Sequence, residues 1–295
     1  MAYTIIHGSY TIFYPEMPKS GPEPDGDTLK FIPDDPSIIW KLPRLSGRSP
    51  NMKKGKINIR FEGIDALETH FKGSHQNLKL AYKARDFLLK QAGFGKVEFW
   101  EDLPNKVKKV ENNPVRGAVL SNGIDSNGRV IGFVFGDDQI EGNDREIYVT
   151  EQNVKESFNF KLIEVGLAYP MFYSSLPLDL RLYMREVTSE IRRNKKGLWE
   201  FDACNVESPH EQIDHDNIEE LCLWPKIFRR LTTFFGGGFR NLNDFIPWLK
   251  ANTYDKNDKI LLPENQIAYL HNIFDINNNG IKLKYYPEDI VILPR

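Results

Sequence analysis

Lys56 to Glu68 reads KINIRFEGIDALE, and the fold of the chain turns on this stretch. Ile57, Ile59 and Phe61 alternate with Asn58, Arg60 and Glu62, the two-residue period of a strand with one face buried. The pattern predicts that Arg60 points away from the apolar face. The strand runs into Gly63, and Asp65 and Glu68 follow, three residues apart in a predicted turn. A cation and two anions at the end of a rigid strand suit metal and phosphate chemistry. Taken alone, their ordinary reading is a surface arginine paired with a neighbouring carboxylate.

The chain has 295 residues, 40% hydrophobic and 27% charged, enough for one large domain or two ordinary ones of a soluble globular protein. Its formal charge of -2 requires that any nucleic-acid surface gather its basic residues locally. Cys204 and Cys222 are too few for a disulfide framework or a structural zinc cluster. They read as buried thiols, or as a single bridge in an exported protein. The first residues lack the basic and apolar regions of a signal peptide, and no run approaches a membrane span. The expectation is a cytoplasmic protein, or a secreted one if a leader has been removed.

Around the opening stretch, residues 3–14 predict a strand or hairpin, and Asp27 enters a strand that runs to Ile32 after an Asp-Gly turn. Residues 33–55 read as irregular. No acid occurs between Asp35 and Glu62, but Lys41, Arg44, Arg48, Lys53, Lys54, Lys56 and Arg60 do. This run is a solvated basic loop or a phosphate-collecting arm. A helix is expected from an N-cap at Ser74 to Gly93 or Gly95, then a strand at 97–100 and a charged loop at 103–114. Residues 115–121 and 129–135 predict two strands joined by the turn Asn122–Gly128, with Arg129 just past it. Further on come a strand at 146–150, a helix at 154–165 stopped by Gly166, and a longer helix closed by Lys195-Lys196-Gly197. About five strands and three helices in this order predict a small closed β-barrel of OB type with appended helices, an α+β fold.

A boundary is placed after residue 203, giving a first domain of residues 1–203 and a smaller, mostly helical module of 204–295. His210 and His215 lie in the polar linker 202–216 without clear metal-ligand spacing. In the module, residues 266–274 read as a third helix, and 281–285 with 290–293 as a terminal β-pair. Asp275 to Gly280 begins like an EF-hand loop, but Tyr286 stands where the bidentate glutamate belongs, so an Asn-Gly turn is expected. The sequence assigns this module no role of its own; a protein partner through residues 217–295 is one use open to it.

Three pieces now join: Asp27 in D-G-D-T, Arg60 with Asp65 and Glu68 in R-F-E-G-I-D-A-L-E, and Arg129 in D-S-N-G-R. In order and spacing this set resembles the staphylococcal nuclease (thermonuclease) family over residues of about 25–201, including Asn159, Gly166-Leu167-Ala168 and a last helix ending near Trp199. The resemblance implies a Ca2+-dependent phosphodiesterase on DNA or RNA, single-stranded or frayed, leaving 3′-phosphates. It assigns the Ca2+ to Asp65, Asp27 and the backbone carbonyl of Ala66. It assigns the attacking water to Glu68 and the phosphate to Arg60 and Arg129. Two guanidiniums suit a phosphoryl transition state because each can give paired hydrogen bonds. Lys53, Lys54 and Lys56 are expected to hold the backbone of the substrate, and Tyr169, Phe172 and Tyr173 to stack on bases or to pack in the core or its rim.

The sequence also departs from the family. Ala66-Leu67 replaces its Thr-Pro, and the loss of proline is expected to loosen the turn that aims Glu68. Asn127 replaces its tyrosine before Gly-Arg. The alternative function is a non-catalytic nucleic-acid or protein-binding module on the same barrel.

Overall fold

The structure, a computed structural model, describes residues 2–142, 145–207, 209–253, 256–277 and 280–293. Its contacts divide the chain into two units, Met1–Ile64 with Tyr82–Leu162 and Asp65–Ala81 with Ile163–Arg295. That division follows neither the composition nor the boundary after residue 203.

Unit 1 holds the barrel. Strands β1 (Ala2–Thr11), β2 (Thr28–Pro33) and β3 (Ile57–Phe61) follow one another, with helix α1 (Pro36–Lys41) between the last two. The predicted alternation in β3 is real: Ile57, Ile59 and Phe61 are buried, while Asn58 and Arg60 are half-buried. Strand β4 (Gly63–Ala66) and helix α2 (Leu78–Gln91) carry the chain across to unit 2 and back. Strands β5 (Val97–Phe99), β6 (Val107–Val110), β7 (Val115–Ile124), β8 (Val130–Gly136) and β9 (Glu146–Tyr148) complete the set. β1 pairs antiparallel with β2 and β7, β2 with β3, and β7 with β8. The parallel pair β3–β8 closes the ring, so β1-β2-β3-β8-β7 is a closed five-stranded barrel of OB type. Tyr3, Tyr10, Phe31, Phe61, Phe133 and Phe135 are among its fully buried side chains. The Tyr10 hydroxyl donates to the carbonyls of Ala118 and Phe135, which satisfies the one polar atom that the ring carries inside.

Four local expectations are corrected. The 33–55 stretch contains α1: Asp35 accepts from the Ser37 N–H as N-cap, Pro36 occupies the first turn, and Ile38 and Ile39 are buried. The charged loop 103–114 contains β6, which pairs with β5; a register shift between Glu98 and Phe99 sets Val107 opposite Phe99 and Val110 opposite Val97. Helix α2 is capped by Asn77, whose Oδ1 accepts from the Leu80 N–H; Ser74 is instead paired with Phe71 in a tight turn. The helix expected at 154–165 is two, α3 (Glu151–Glu156) and α4 (Phe158–Glu164), broken where the Ser157 hydroxyl donates to Val154 O and accepts from the Phe160 N–H.

Asn159 in α4 braces the barrel, as its place in the motif suggests. It is fully buried, donates to the carbonyls of Glu62 and Gly132 at 2.9 and 3.0 Å, and accepts from the Val134 N–H at 2.9 Å. Asn159→Ala removes the side-chain partner of Glu62 O and of the Val134 N–H, while Gly132 O keeps the Glu62 N–H, so it is expected to lower stability by about 2 kcal/mol in urea denaturation.

Unit 2 contains β10 (Ala168–Tyr173), α5 (Leu178–Arg193), β11 (Glu211–Gln212), α6 (Pro225–Gly236), α7 (Phe245–Ala251) and strands β12 (Lys259–Leu262), β13 (Gln266–Tyr269), β14 (Phe274–Asn277), β15 (Gly280–Leu283) and β16 (Val291–Ile292). One sheet runs β13-β12-β16-β10-β4 and another β11-β15-β14. Its core joins Trp224, Ile227, Phe228, Leu231 and Phe234 of the α6 region to Leu67, Leu80, Tyr169 and Trp199. Cys204 and Cys222 are both free and buried.

The third helix expected at 266–274 is absent; the segment is β13 followed by a 3₁₀ turn at Leu270–Ile273. Buried Leu270 and Ile273 are spaced three apart, which suits one 3₁₀ turn as well as a helix. The expected terminal pair is also corrected: β15 pairs with β14 and β11, while β16 pairs with β12 and β10. A short apolar run names no partner. The Asp275–Gly280 segment lies in the β14–β15 hairpin, as a turn signal would have it, with residues 278–279 outside the described ones.

Candidate functional site

The residues singled out from the sequence divide between the units: Asp27, Arg60 and Arg129 belong to unit 1, and Asp65, Ala66 and Glu68 to unit 2.

In unit 1 the barrel register gathers the two arginines. Thr28 is opposite Arg60, and the Asp27 carbonyl accepts from the Phe61 N–H, so Asp27 sits beside the end of β3. On the other side Arg60 is opposite Ile131 in the parallel pair. Arg129 lies two residues before Ile131, in the turn just ahead of β8. The D-S-N-G-R turn aims Arg129. Asp125 accepts at Oδ1 from the N–H groups of Asn127 and Arg129, and at Oδ2 from Arg129 Nε at 2.8 Å. Gly128 takes φ +77°, which the turn requires. Asn127 is exposed, so no aromatic ring stands at that corner.

The basic arm lies on the same unit. Lys53 and Lys56 pair across a tight turn made by Lys54 and Gly55; Lys53 and Lys54 are exposed, and Lys56 Nζ lies 4.9 Å from the Tyr14 ring centre. Burial, then the charges of Lys53 and Lys56, push the Lys30 ammonium below its ordinary pKa. The arm is thus a crowded positive patch that an anion would relieve.

Glu62 follows Arg60 but points inward. It is buried, one carboxylate oxygen has no hydrogen-bond partner, and burial raises its pKa to about 7 against the pull of Arg60 and a hydrogen bond from Asn122.

In unit 2 the Asp65-Ala66-Leu67-Glu68 turn is held in a way the sequence did not suggest. Leu67, in place of the family's proline, is buried in the unit 2 core. Gln76 clamps the turn: its N–H donates to Glu68 O, its Oε1 accepts from the Glu68 N–H, and its Nε2 donates to Leu223 O at 2.7 Å. The expected loosening is therefore replaced by a packed side chain and three hydrogen bonds.

Both acids of this turn are engaged by Arg229 on α6. Its guanidinium donates to the two oxygens of Asp65, Nη1 to Oδ1 at 3.1 Å and Nη2 to Oδ2 at 2.6 Å, and Nη1 also reaches Glu68 Oε1 at 2.5 Å. Burial opposes the charge, but Asp65 and Glu68 outweigh it and hold the guanidinium well above its ordinary pKa. Thr233 Oγ1 donates to Arg229 O one turn on, and neighbouring Phe228 is fully buried, so the helix that carries Arg229 is part of the core.

This arrangement does not fit a Ca2+ ion. Ca2+ takes six to eight oxygen ligands, and here a guanidinium already lies on the carboxylates. At about 4 Å and an effective dielectric of about 20, a guanidinium repels a dication by roughly 8 kcal/mol. Among the described residues, no three His, Cys, Asp or Glu side chains group as a metal site would need.

The aromatic residues are also corrected. Tyr169 and Phe172 are fully buried; the Tyr169 hydroxyl meets Cys222 Sγ, and its ring meets Trp199 edge-on at 4.8 Å. Neither can stack on a base, because both ring faces are packed. Tyr173 is half-buried, with Lys226 Nζ 5.8 Å from its ring centre.

The closed five-stranded barrel with its flanking helices is a fold of OB type. Residues 58–201 match the family model described as Staphylococcal nuclease homologue. The match covers β3 to the turn after α5, whereas β1, β2 and Asp27 precede it and Arg229 follows it. No curated protein matches the chain.

The residues that sequence reasoning missed are Arg229, Gln76 and Asp125. Asp125 was legible in the D-S-N-G-R turn, since an Asp at the head of a turn bonds its own backbone. The trace of Arg229 was two adjacent arginines, Arg229 and Arg230, among the apolar residues of one helix.

Proposed function

We propose that this chain is a nucleic-acid-binding domain of the staphylococcal nuclease type that holds the phosphates of single-stranded or frayed DNA or RNA through Arg60 and Arg129, with Lys53, Lys54 and Lys56 as the flanking arm. The observation that supports the reading is the β3–β8 register, which sets Arg60 opposite Ile131, two residues on from Arg129, on the unit that also carries the exposed Lys53 and Lys54. A guanidinium can donate paired hydrogen bonds to a phosphate, and Asp125 orients that of Arg129 through its Nε. Arg60→Ala is expected to weaken binding of a single-stranded oligonucleotide about tenfold and to reduce the salt dependence by about one released counterion, as read by fluorescence anisotropy over a salt series. Unchanged affinity and slope would remove this reading.

A second reading, a Ca2+-dependent phosphodiesterase, is supported by the retention of Asp27, Arg60, Asp65, Glu68 and Arg129 in order. A nuclease assay with Ca2+, Mg2+ and EDTA beside Glu68→Ala separates the two. Metal-dependent cleavage lost in the variant supports catalysis, and equal background in both supports binding alone.

A further inference from the structure

The acidic turn of unit 2 has a cation, and that cation is part of the chain. We infer that Arg229 is a tethered counter-ion that competes with divalent cations for Asp65 and Glu68, so that the region after the family-like domain controls whether a metal can enter.

The geometry supports a specific pairing and not a chance surface contact. A planar guanidinium spans both oxygens of Asp65 and reaches Glu68 with the same Nη1, the fork-to-carboxylate fit that arginine alone provides. Asp65 is buried and Arg229 is only 22% exposed, so little water screens the contact. Both partners are fixed from outside. The turn is clamped by Gln76 to Leu223, two residues before the helix that carries Arg229 begins, and Asn77 Nδ2 donates to Glu220 O. The acids and the arginine are thus positioned by one continuous set of contacts between 65–77 and 220–229.

The chemistry follows from the charges. Two carboxylates with one guanidinium carry a net charge of minus one, and the guanidinium stays charged over the whole working pH range. A divalent cation must displace it or sit against it. Side-chain rotation of Arg229 is the only displacement the fold allows at low cost, because Ile227, Phe228 and Leu231 of the same helix are core residues. Without the guanidinium, two carboxylates would face one another in a partly dry turn, an oxygen-rich and negatively charged setting of the kind Ca2+ takes.

Calorimetric titration of the full chain with Ca2+, without nucleic acid, tests this. The wild type is expected to give no saturable heat at submillimolar Ca2+. Arg229→Gln should gain saturable binding, tighter by about tenfold or more, and Ca2+ should raise its melting temperature but not that of the wild type. Arg229→Lys, which keeps a cation, should stay close to the wild type. Submillimolar Ca2+ binding by the wild type that Asp65→Asn abolishes would overturn the inference, as would equal affinity in wild type and Arg229→Gln. If Arg229→Gln does not fold in buffer, it is refolded with and without millimolar Ca2+: folding recovered by Ca2+ but not by matched NaCl supports the inference, and no recovery overturns it. No nucleic acid enters these measurements, so their outcome is independent of the binding proposed above.

Discussion

Replacing Arg229 with methionine is expected to lower the stability of the chain by about 3–5 kcal/mol in urea denaturation, although the side chain lies outside the family-like domain. Methionine keeps most of the volume and the helix propensity, so the loss isolates the charge. What it leaves is two carboxylates, Asp65 buried and Glu68 half-buried, that have lost the Arg229 guanidinium. Uncompensated buried charge is among the few defects that single substitutions make so large. The compensating variant carries Asp65→Asn, Glu68→Gln and Arg229→Met together. It removes all three charges and is expected to recover most of the loss, because a neutral, packed replacement of an ion network is often as stable as the network. If Arg229→Met alone melts like the wild type, the ion triad contributes nothing and Leu67 with Gln76 holds the turn unaided.

The second large effect is a pH dependence from Glu62. Its folded pKa is raised from 4.5 to about 7 by burial, so between those values the folded chain keeps a proton that the unfolded chain has released. The folded state binds more protons, and stability therefore falls as pH rises through this window. The contribution is fully present below about pH 4.5 and is lost by about pH 7. A shift of this size corresponds to about 3 kcal/mol. Glu62→Gln keeps the shape and removes the titration, so its stability should be flat over the window where the wild type declines. Asp202 works in the same direction from unit 2, where burial raises its carboxyl to about 6. For that reason the comparison with Glu62→Gln, and not the wild-type curve alone, isolates the barrel. Parallel curves for wild type and Glu62→Gln would show that Glu62 ionises without consequence.

The two effects sit at either end of the same short stretch. Arg60 faces outward on β3, Glu62 inward, and Asp65 and Glu68 belong to the next unit along the chain. Arg60, Glu62, Asp65 and Glu68 thus lie within nine residues of sequence, but each is set by different neighbours.

What the sequence by itself determined is local. The I-x-I-x-F alternation of β3, the turn that presents Arg129 and the outward direction of Arg60 follow from the pleat and from turn chemistry, which act over a few residues. The ordered set of motifs was enough to indicate the barrel, because few folds place those strands in that sequence. Tertiary structure alone decided the rest. β6 and α1 were hidden under charge and proline, since an edge strand and a two-turn helix need only two apolar residues each. Tyr169 and Phe172 could not be told from base-stacking residues until the unit 2 core closed over them. Leu67 read as the loss of a proline and is a core anchor. Above all, Arg229 meets Asp65 and Glu68 from 164 and 161 residues away. A pairing at that separation leaves no periodicity, because it is chosen by the packing of α6 and not by any rule that links neighbouring residues.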